Sequence, residues 1–338
     1  MSLSPELSAL IHRLPKIELH LHIEGSLEPE MLFALAQKHQ ITLPYDSVEA
    51  LRAAYQFEDL QSFLDLYYAG ADVLRDEDDF YQLTLAYLRR CHEQGVVHTE
   101  VFFDPQTHTD RGLPFETALN GIYRGLQDGQ AQWGISFKLI ACFLRHLSAE
   151  AAMATLEDVL RHRDRIDGVG LDSSERDRPP VLFTEVFARA RAAGLHCVAH
   201  AGEEGPAAYI REALDLLQVE RVDHGVRCEE DAALCAELAA RRMPLTVCPL
   251  SNLRLAVVKD LRDHNLKRLL DQGLCVTIHS DDPAYFGGYM EENYVAVAEA
   301  LNLDRADLIQ LARNGIEAAF ADATQKQAWL DALAAAAA

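Results

Sequence analysis

Lys16-Ile17-Glu18-Leu19-His20-Leu21-His22-Ile23-Glu24-Gly25 is the stretch on which the reading of this chain turns. Taken as a strand, it alternates its side chains between two faces, so His20 and His22 point the same way. Two imidazoles on one face at a strand end can grip a single metal ion. Paired histidines on a half-buried strand are also common structural features, so the pair needs partners from elsewhere before it means a metal site.

Outward from that strand, residues 28–39 have helical spacing, with Leu32, Leu35 and Ala36 on one side. The helical period continues from Ser47 to Glu93 through Phe63, Leu66, Tyr67, Phe80, Leu83, Tyr87 and Leu88. A rhythm then begins. Strands are expected at 96–103, 136–144, 169–172, 195–200, 221–225, 245–248 and 275–280. Helices are expected between them at 115–130, 149–163, 181–193, 206–217, 231–241 and 261–272, with two more to finish the chain. Alternating strands and helices predict a parallel sheet with right-handed crossovers. Eight strands in 338 residues favour an α/β closed (β/α)8 TIM barrel, one domain over 1–338, with a helical insertion at about 28–95 and extra C-terminal helices. No Gly-x-Gly-x-x-Gly follows the first strand, which removes the main support for a dinucleotide-binding sheet.

Lys and Arg number 31 against 53 Asp and Glu, a formal charge of −22. Such a surface disfavours nucleic acid and anionic membranes, both of which call for clustered cations. A small neutral substrate suits it. The seven cysteines are scattered and contain no Cys-x-x-Cys, as expected for reduced thiols in a cytoplasmic protein. Neither a signal-peptide core nor a membrane-spanning run is present, and the closing alanines read as a frayed helix end.

Ionisable residues gather where a barrel enzyme places its chemistry, at the C-terminal ends of strands. The fifth strand ends in His200-Ala201-Gly202-Glu203-Glu204, the sixth carries Asp223-His224-Gly225, and the eighth leads into Ser280-Asp281-Asp282-Pro283. Each has a plainer explanation: a buried hydrogen-bonded histidine, a turn, a helix cap with proline at its first position. Together they make a stronger pattern. His20, His22, His200 and Asp281 satisfy a borderline divalent cation, best Zn2+, one per chain, with Fe2+ also able to occupy such a site. Zinc lowers the pKa of bound water to about 7. Glu203 can then serve as an acid near a leaving group, His224 can orient or deprotonate the water, and Asp282 can direct a hydrogen bond at substrate. Other metal patterns fail: His92-Glu93 has no second histidine at Val96, and His98-Thr99-Glu100 has no accompanying Pro-Cys-x-x-Cys. His279 and Glu100 read as supporting or solvated groups, and Cys248 as a structural thiol.

With Glu18-Leu19-His20-Leu21-His22, His200-Ala201-Gly202-Glu203, Asp223-His224-Gly225, Cys248-Pro249-Leu250-Ser251-Asn252 and Ser280-Asp281-Asp282-Pro283 collected, the chain resembles the adenosine/adenine deaminase family of the metal-dependent amidohydrolase superfamily, from Pro15 to about Phe320. The resemblance implies a barrel with one catalytic zinc on His20, His22, His200 and Asp281. It further implies that Glu203 protonates purine N1, His224 assists attack of water, and Asp282 holds N7. Two stretches look like the adenine branch. Glu24 stands where adenosine deaminases typically have an Asp near the ribose, and Gly170-Leu171-Asp172-Ser173-Ser174-Glu175 stands where they have a glycine in the loop touching the purine. On that likeness Glu24, Ser173 and Glu175 are expected at the substrate, with Glu24 accepting from the free base N9–H and Glu175 narrowing the room for a sugar. Glu24 could equally be a surface carboxylate beside Gly25. The implied activity is zinc-dependent deamination of adenine, a small purine base, to hypoxanthine and ammonia in purine salvage. Deamination of adenosine or of N6-substituted adenine is the nearest alternative, and a non-catalytic purine-binding protein the more distant one.

Overall fold

The computed structural model describes residues 3–338. A first helix, α1 (Pro5–Arg13), is capped by the Ser4 hydroxyl and buries Leu10 and Ile11. It leads into β1 (Lys16–His22), every residue of which is buried. The remaining strands are β2 (Val96–Phe103), β3 (Ser136–Leu144), β4 (Gly168–Asp172), β5 (His196–Ala201), β6 (Arg221–His224), β7 (Pro244–Val247) and β8 (Cys275–Ile278). All neighbouring pairs are parallel and run in the order β1 to β8. The ring nearly closes: β8 meets β1 through an isolated bridge, in which the amides of His22 and Asp281 donate to Asp281 O at 3.1 Å and His20 O at 3.0 Å.

Near-continuous apolar strands follow from burial on both faces. Outward side chains pack under the surrounding helices in one extended core. Inside the ring lies a small second cluster of Phe102, Ile140, Cys142 and Val198 with Phe320 against it. The interior is tight there, since a Cβ on Gly170 would stand 2.5 Å from Cys142 Sγ. Beside it the barrel holds a buried ion pair, Arg221 Nη1 donating to Glu100 Oε2 at 2.7 Å, with the guanidinium 4.6 Å from the centre of the Phe320 ring.

Four helices separate β1 from β2: α2 (Pro29–Lys38), α3 (Val48–Ala54), α4 (Leu60–Ala71) and α5 (Glu77–Glu93). They correspond to the expected insertion. α4 and α5 each start on a capping box, from Asp59 and Asp76. Departures from the sequence expectation have local causes. The helix expected from 181 opens as a 3-10 turn, Pro180–Phe183, after two prolines that cannot donate. The helix expected over 261–272 is split at His264, whose ring accepts from Leu266 N and pairs with Asn252 Oδ1. Three long helices follow β8 instead of two: Met290–Leu301, Arg305–Ala318 and Ala323–Ala336. The breaks between them fall at left-handed Asn302 and extended Ala319.

The helix Arg305–Ala318 packs against β1 and β8, and its start rests on a reciprocal bond between Asp304 and Asp307. Asp304→Ala is expected to cost about 1 kcal/mol, read as a lowered urea midpoint with an unchanged m-value. An unshifted midpoint contradicts the cap. No helix among the described residues is long and apolar enough to cross a membrane, and all seven cysteines are buried free thiols.

Candidate active site

The histidines of β1, β5 and β6 converge at the C-terminal mouth of the barrel with Asp281, three residues past the end of β8. His20 Nε2 lies 3.3 Å from Asp281 Oδ1, His22 Nε2 lies 3.6 Å from the same oxygen, and His22 Nε2 and His200 Nε2 are 3.2 Å apart. His224 adds a fourth imidazole, its Nε2 3.8 Å from Asp281 Oδ2. His20, His200, His224 and Asp281 bring one ligand atom each within 4.8 Å of all the others. His22 stands outside that mutual set, its ring centre 5.6 Å from that of His20, yet its Nε2 still reaches both His200 and Asp281. The expected set of His20, His22, His200 and Asp281 is thus brought together, with His224 beside it.

Outer partners orient the rings. Thr246 Oγ1 donates to Asp223 Oδ1 at 2.8 Å, so its lone pairs face His20 Nδ1 at 2.9 Å; this fixes the Nδ1–H tautomer and leaves Nε2 free. His22 Nδ1 faces Asp172 at 3.5 Å, and His200 Nδ1 faces Asp223 at 3.7 Å. Among the described residues His20 Nε2 has no hydrogen-bond partner although it is buried. Bonds of about 2.0–2.1 Å at a tetrahedral angle put ligand atoms roughly 3.3 Å apart. Three such spacings and an orphaned inward nitrogen fit a divalent cation.

Backbone strain collects here. His224 and Asp281 both have φ of 62° and Ser173 has φ of 73°, left-handed values for residues that carry a Cβ. Gly25 allows the turn after β1 to press on Asp282, since a Cβ there would come 1.9 Å from Asp282 Oδ1.

Glu203 lies just past β5, buried, with Oε2 3.6 Å from His224 Nε2 and Oε1 without a partner among the described residues. Burial, reinforced by Asp281 and Glu175, pushes its carboxyl well above the usual range, which favours the protonated form. Burial and neighbouring Asp281 do the same to Asp282. Asp282 starts the short helix Pro283–Phe286 but makes no cap bond with its side chain, which rules out the simple cap. Burial and then His20 lower His224 to about 3, keeping the ring neutral. Asp281 goes the other way. Burial would raise it, but the surrounding imidazoles, His20 foremost, hold it well below the usual range.

These groups line a small cavity roofed by Leu60, Phe63, Leu64, Tyr67 and Tyr68 of α4. Ser173 and Asp282 are on its wall; Glu24 and Glu175 are not. Glu24 is buried behind it, its Oε1 taken by His108 Nε2 at 2.7 Å and the Asp104 amide at 3.2 Å. Glu175 holds the loop of the acid instead, accepting from the amides of Glu203 and Gly205 beside buried Arg145. Two residues on the wall went unrecognised in the sequence, Asp104 after β2 and Asp172 at the end of β4. The rule that marked the other strands, an ionisable residue at a C-terminal end, covers both. His279 is buried between Glu18, Leu19 N and Thr277, away from the ligand cluster. Outside Glu203 the cavity gives way to a vestibule of about 550 Å3 lined by carboxylates and arginines on one hand and by Leu60, Val226 and residues 255–258 on the other.

The model of the family described as adenosine deaminase matches residues 15–336. The chain is 59% identical over 330 residues to an adenine deaminase of Cupriavidus taiwanensis, covering 98% of this chain and 94% of that one. Among solved structures it is similar to the adenine deaminase of Arthrobacter aurescens, at 49% identity and TM-score 0.94, covering 95% of this chain and 98% of that one. It is also similar to an amidohydrolase of Burkholderia ambifaria solved with bound Zn, at 30% identity and TM-score 0.90, covering 100% and 94%.

Proposed function

The chain belongs to the adenosine deaminase family, and we propose that its barrel mouth performs the hydrolytic deamination of adenine to hypoxanthine and ammonia with one zinc ion on His20, His22, His200 and Asp281. The relatives named adenine deaminase support the substrate, and the zinc-bound neighbour supports the metal. One observation carries the reading. A buried carboxyl pushed above its ordinary range, Glu203, faces His224 at 3.6 Å beside a converging set of metal-ligand atoms.

When bound, the metal supplies Lewis-acid activation of water at neutral pH. The residues do the rest. The aromatic and aliphatic side chains of α4 cover a flat ring and exclude bulk water. Protonated Asp282 donates to N7. Glu203 gives its proton to N1 as water adds to C6, and neutral His224 accepts one proton of that water. His224 returns it to the departing amine, which leaves as ammonia. The second proton of the water restores Glu203, and hypoxanthine keeps the proton on N1. Glu175 and Arg145 act at one remove, by fixing the loop that carries Glu203. The unpaired thiols support a reducing, cytoplasmic setting.

A purine panel with metal analysis on the same preparation tests this. Adenine is expected to release ammonia with kcat/KM at least about a hundredfold above adenosine, and chelation should abolish turnover until Zn2+ is restored. Adenosine or an N6-substituted adenine as the better substrate would reassign the specificity, and chelator-resistant turnover would remove the metal from the scheme.

A further inference from the structure

We propose that Asp104, with Glu24 behind it as a positioning residue, reads the N9–H of the purine and thereby selects the free base over 9-substituted purines. The inference rests on the purine reading above.

Asp104 is 2% exposed and lines the cavity, and its Oδ1 has no hydrogen-bond partner among the described residues. An unsatisfied buried acceptor is costly unless a ligand completes it. The rest of the residue is fixed. Tyr67 OH donates to Oδ2 at 3.2 Å, the backbone amide donates to Glu24 Oε1 at 3.2 Å, and Pro105 follows directly. Glu24 is held in turn by His108, whose Nδ1 is 2.8 Å from Arg111 Nη2. The series Arg111, His108, Glu24 and Asp104 leaves Glu24 Oε2 and Asp104 Oδ1 without partners among the described residues, and of these two residues only Asp104 lines the cavity.

The order of the strands says which purine atom that oxygen meets. The sheet runs β1 to β8 and closes β8 on β1. Going round the mouth from β5, the polar groups on the wall are Glu203 after β5, His224 on β6, Asp282 after β8, Asp104 after β2, and Asp172 with Ser173 at β4. Going round adenine from N1, the positions are N1, C6, N7, N9 and N3. With N1 on Glu203 and N7 on Asp282, the two cyclic orders coincide, and N9 falls to Asp104. Asp172 is the rival acceptor, its Oδ1 likewise without a partner among the described residues, but its place in the ring is at N3. Chemistry agrees with position. A donor at N7 holds that nitrogen unprotonated, so the ring proton resides on N9 and requires an acceptor. A substituent on N9 removes the donor and collides with Asp104.

The test uses the zinc-loaded enzyme and its variants Asp104→Ala and Asp104→Val. Turnover of adenine is measured alongside competitive Ki values for hypoxanthine and 9-methylhypoxanthine. Adenine turnover by the wild type tests the purine reading separately; without it, both readings fall. In Asp104→Ala, kcat/KM for adenine is expected to drop roughly 10- to 100-fold, the cost of leaving a buried N9–H without its acceptor. Hypoxanthine should weaken while 9-methylhypoxanthine binds as well or better, bringing their Ki ratio close to one. A merely structural role would weaken both purines together and leave the ratio at its wild-type value, and that result overturns the proposal. Should Asp104→Ala lose its metal or fail to fold, Asp104→Val fills more of the space without supplying an acceptor and is judged by the same ratio.

Discussion

Glu203→Gln is expected to reduce kcat for adenine about a thousandfold, while zinc content and thermal stability stay at wild-type values. The amide has the same shape and can still approach N1, but it has no acidic proton to give. Its loop should hold, because the bonds that fix it run from the amides of Glu203 and Gly205 to Glu175, not from the Glu203 side chain. Because burial and Asp281 already favour the protonated, neutral form of Glu203, the neutral amide changes no charge beside the ligand cluster. Steady-state ammonia release with metal analysis of the same sample gives the answer. A variant within tenfold of wild type would show that the proton at N1 comes from elsewhere.

Arg221→Met is expected to be among the most destabilising single changes away from the mouth, at roughly 3–5 kcal/mol. Both Arg221 and Glu100 are fully buried within the barrel, and the guanidinium also donates to Leu19 O at 3.2 Å. Methionine fills much of the volume but leaves the carboxylate without its counter-charge. Pairing it with Glu100→Gln should recover part of the loss, a coupling that a double-mutant cycle measures directly. Additive losses would mean that the pair is not a unit. The same contact predicts an acid response. Burial alone would raise Glu100, yet Arg221 and then His98 outweigh it and leave it at about 2, below the ordinary 4.5. A depressed carboxyl stabilises the fold fully above its unfolded value. This contribution should therefore hold above about pH 4.5 and fade as pH falls towards 2, and Arg221→Met should lose less over that window. Urea midpoints of both proteins between pH 6 and 3 would reveal it; parallel curves would contradict the assignment.

Most of the architecture was legible because the alternation of strand and helix is a local signal. The bounds expected for β2 and β3 agree with the structure, and the other strands shift by a residue or two where turn and strand compete. The ligand cluster was legible for a related reason, since strand ends in a barrel share one mouth. What stayed hidden were choices between partners distant in the chain. Glu24 looked free to meet a ligand, but His108, 84 positions on, takes its oxygen. Glu175 looked like an obstruction to a sugar and instead holds the Glu203 loop. Arg145 and Arg221 gave no sign of burial, because periodicity reports which face a residue occupies and not what neutralises it there.

The closure of the ring by two backbone hydrogen bonds at Leu21 and Asp281 has a consequence in time. The mouth is built at the meeting of the earliest strand to be made and the last, and Leu19 and His279, bonded beside it, stand 260 positions apart. On the ribosome, His20 and His22 must wait for nearly all the later strands before Asp281 arrives. Contacts of such long span form late, once shorter ones have paid for loop closure. A nascent chain halted before β8 can possess much of the barrel and none of its chemistry.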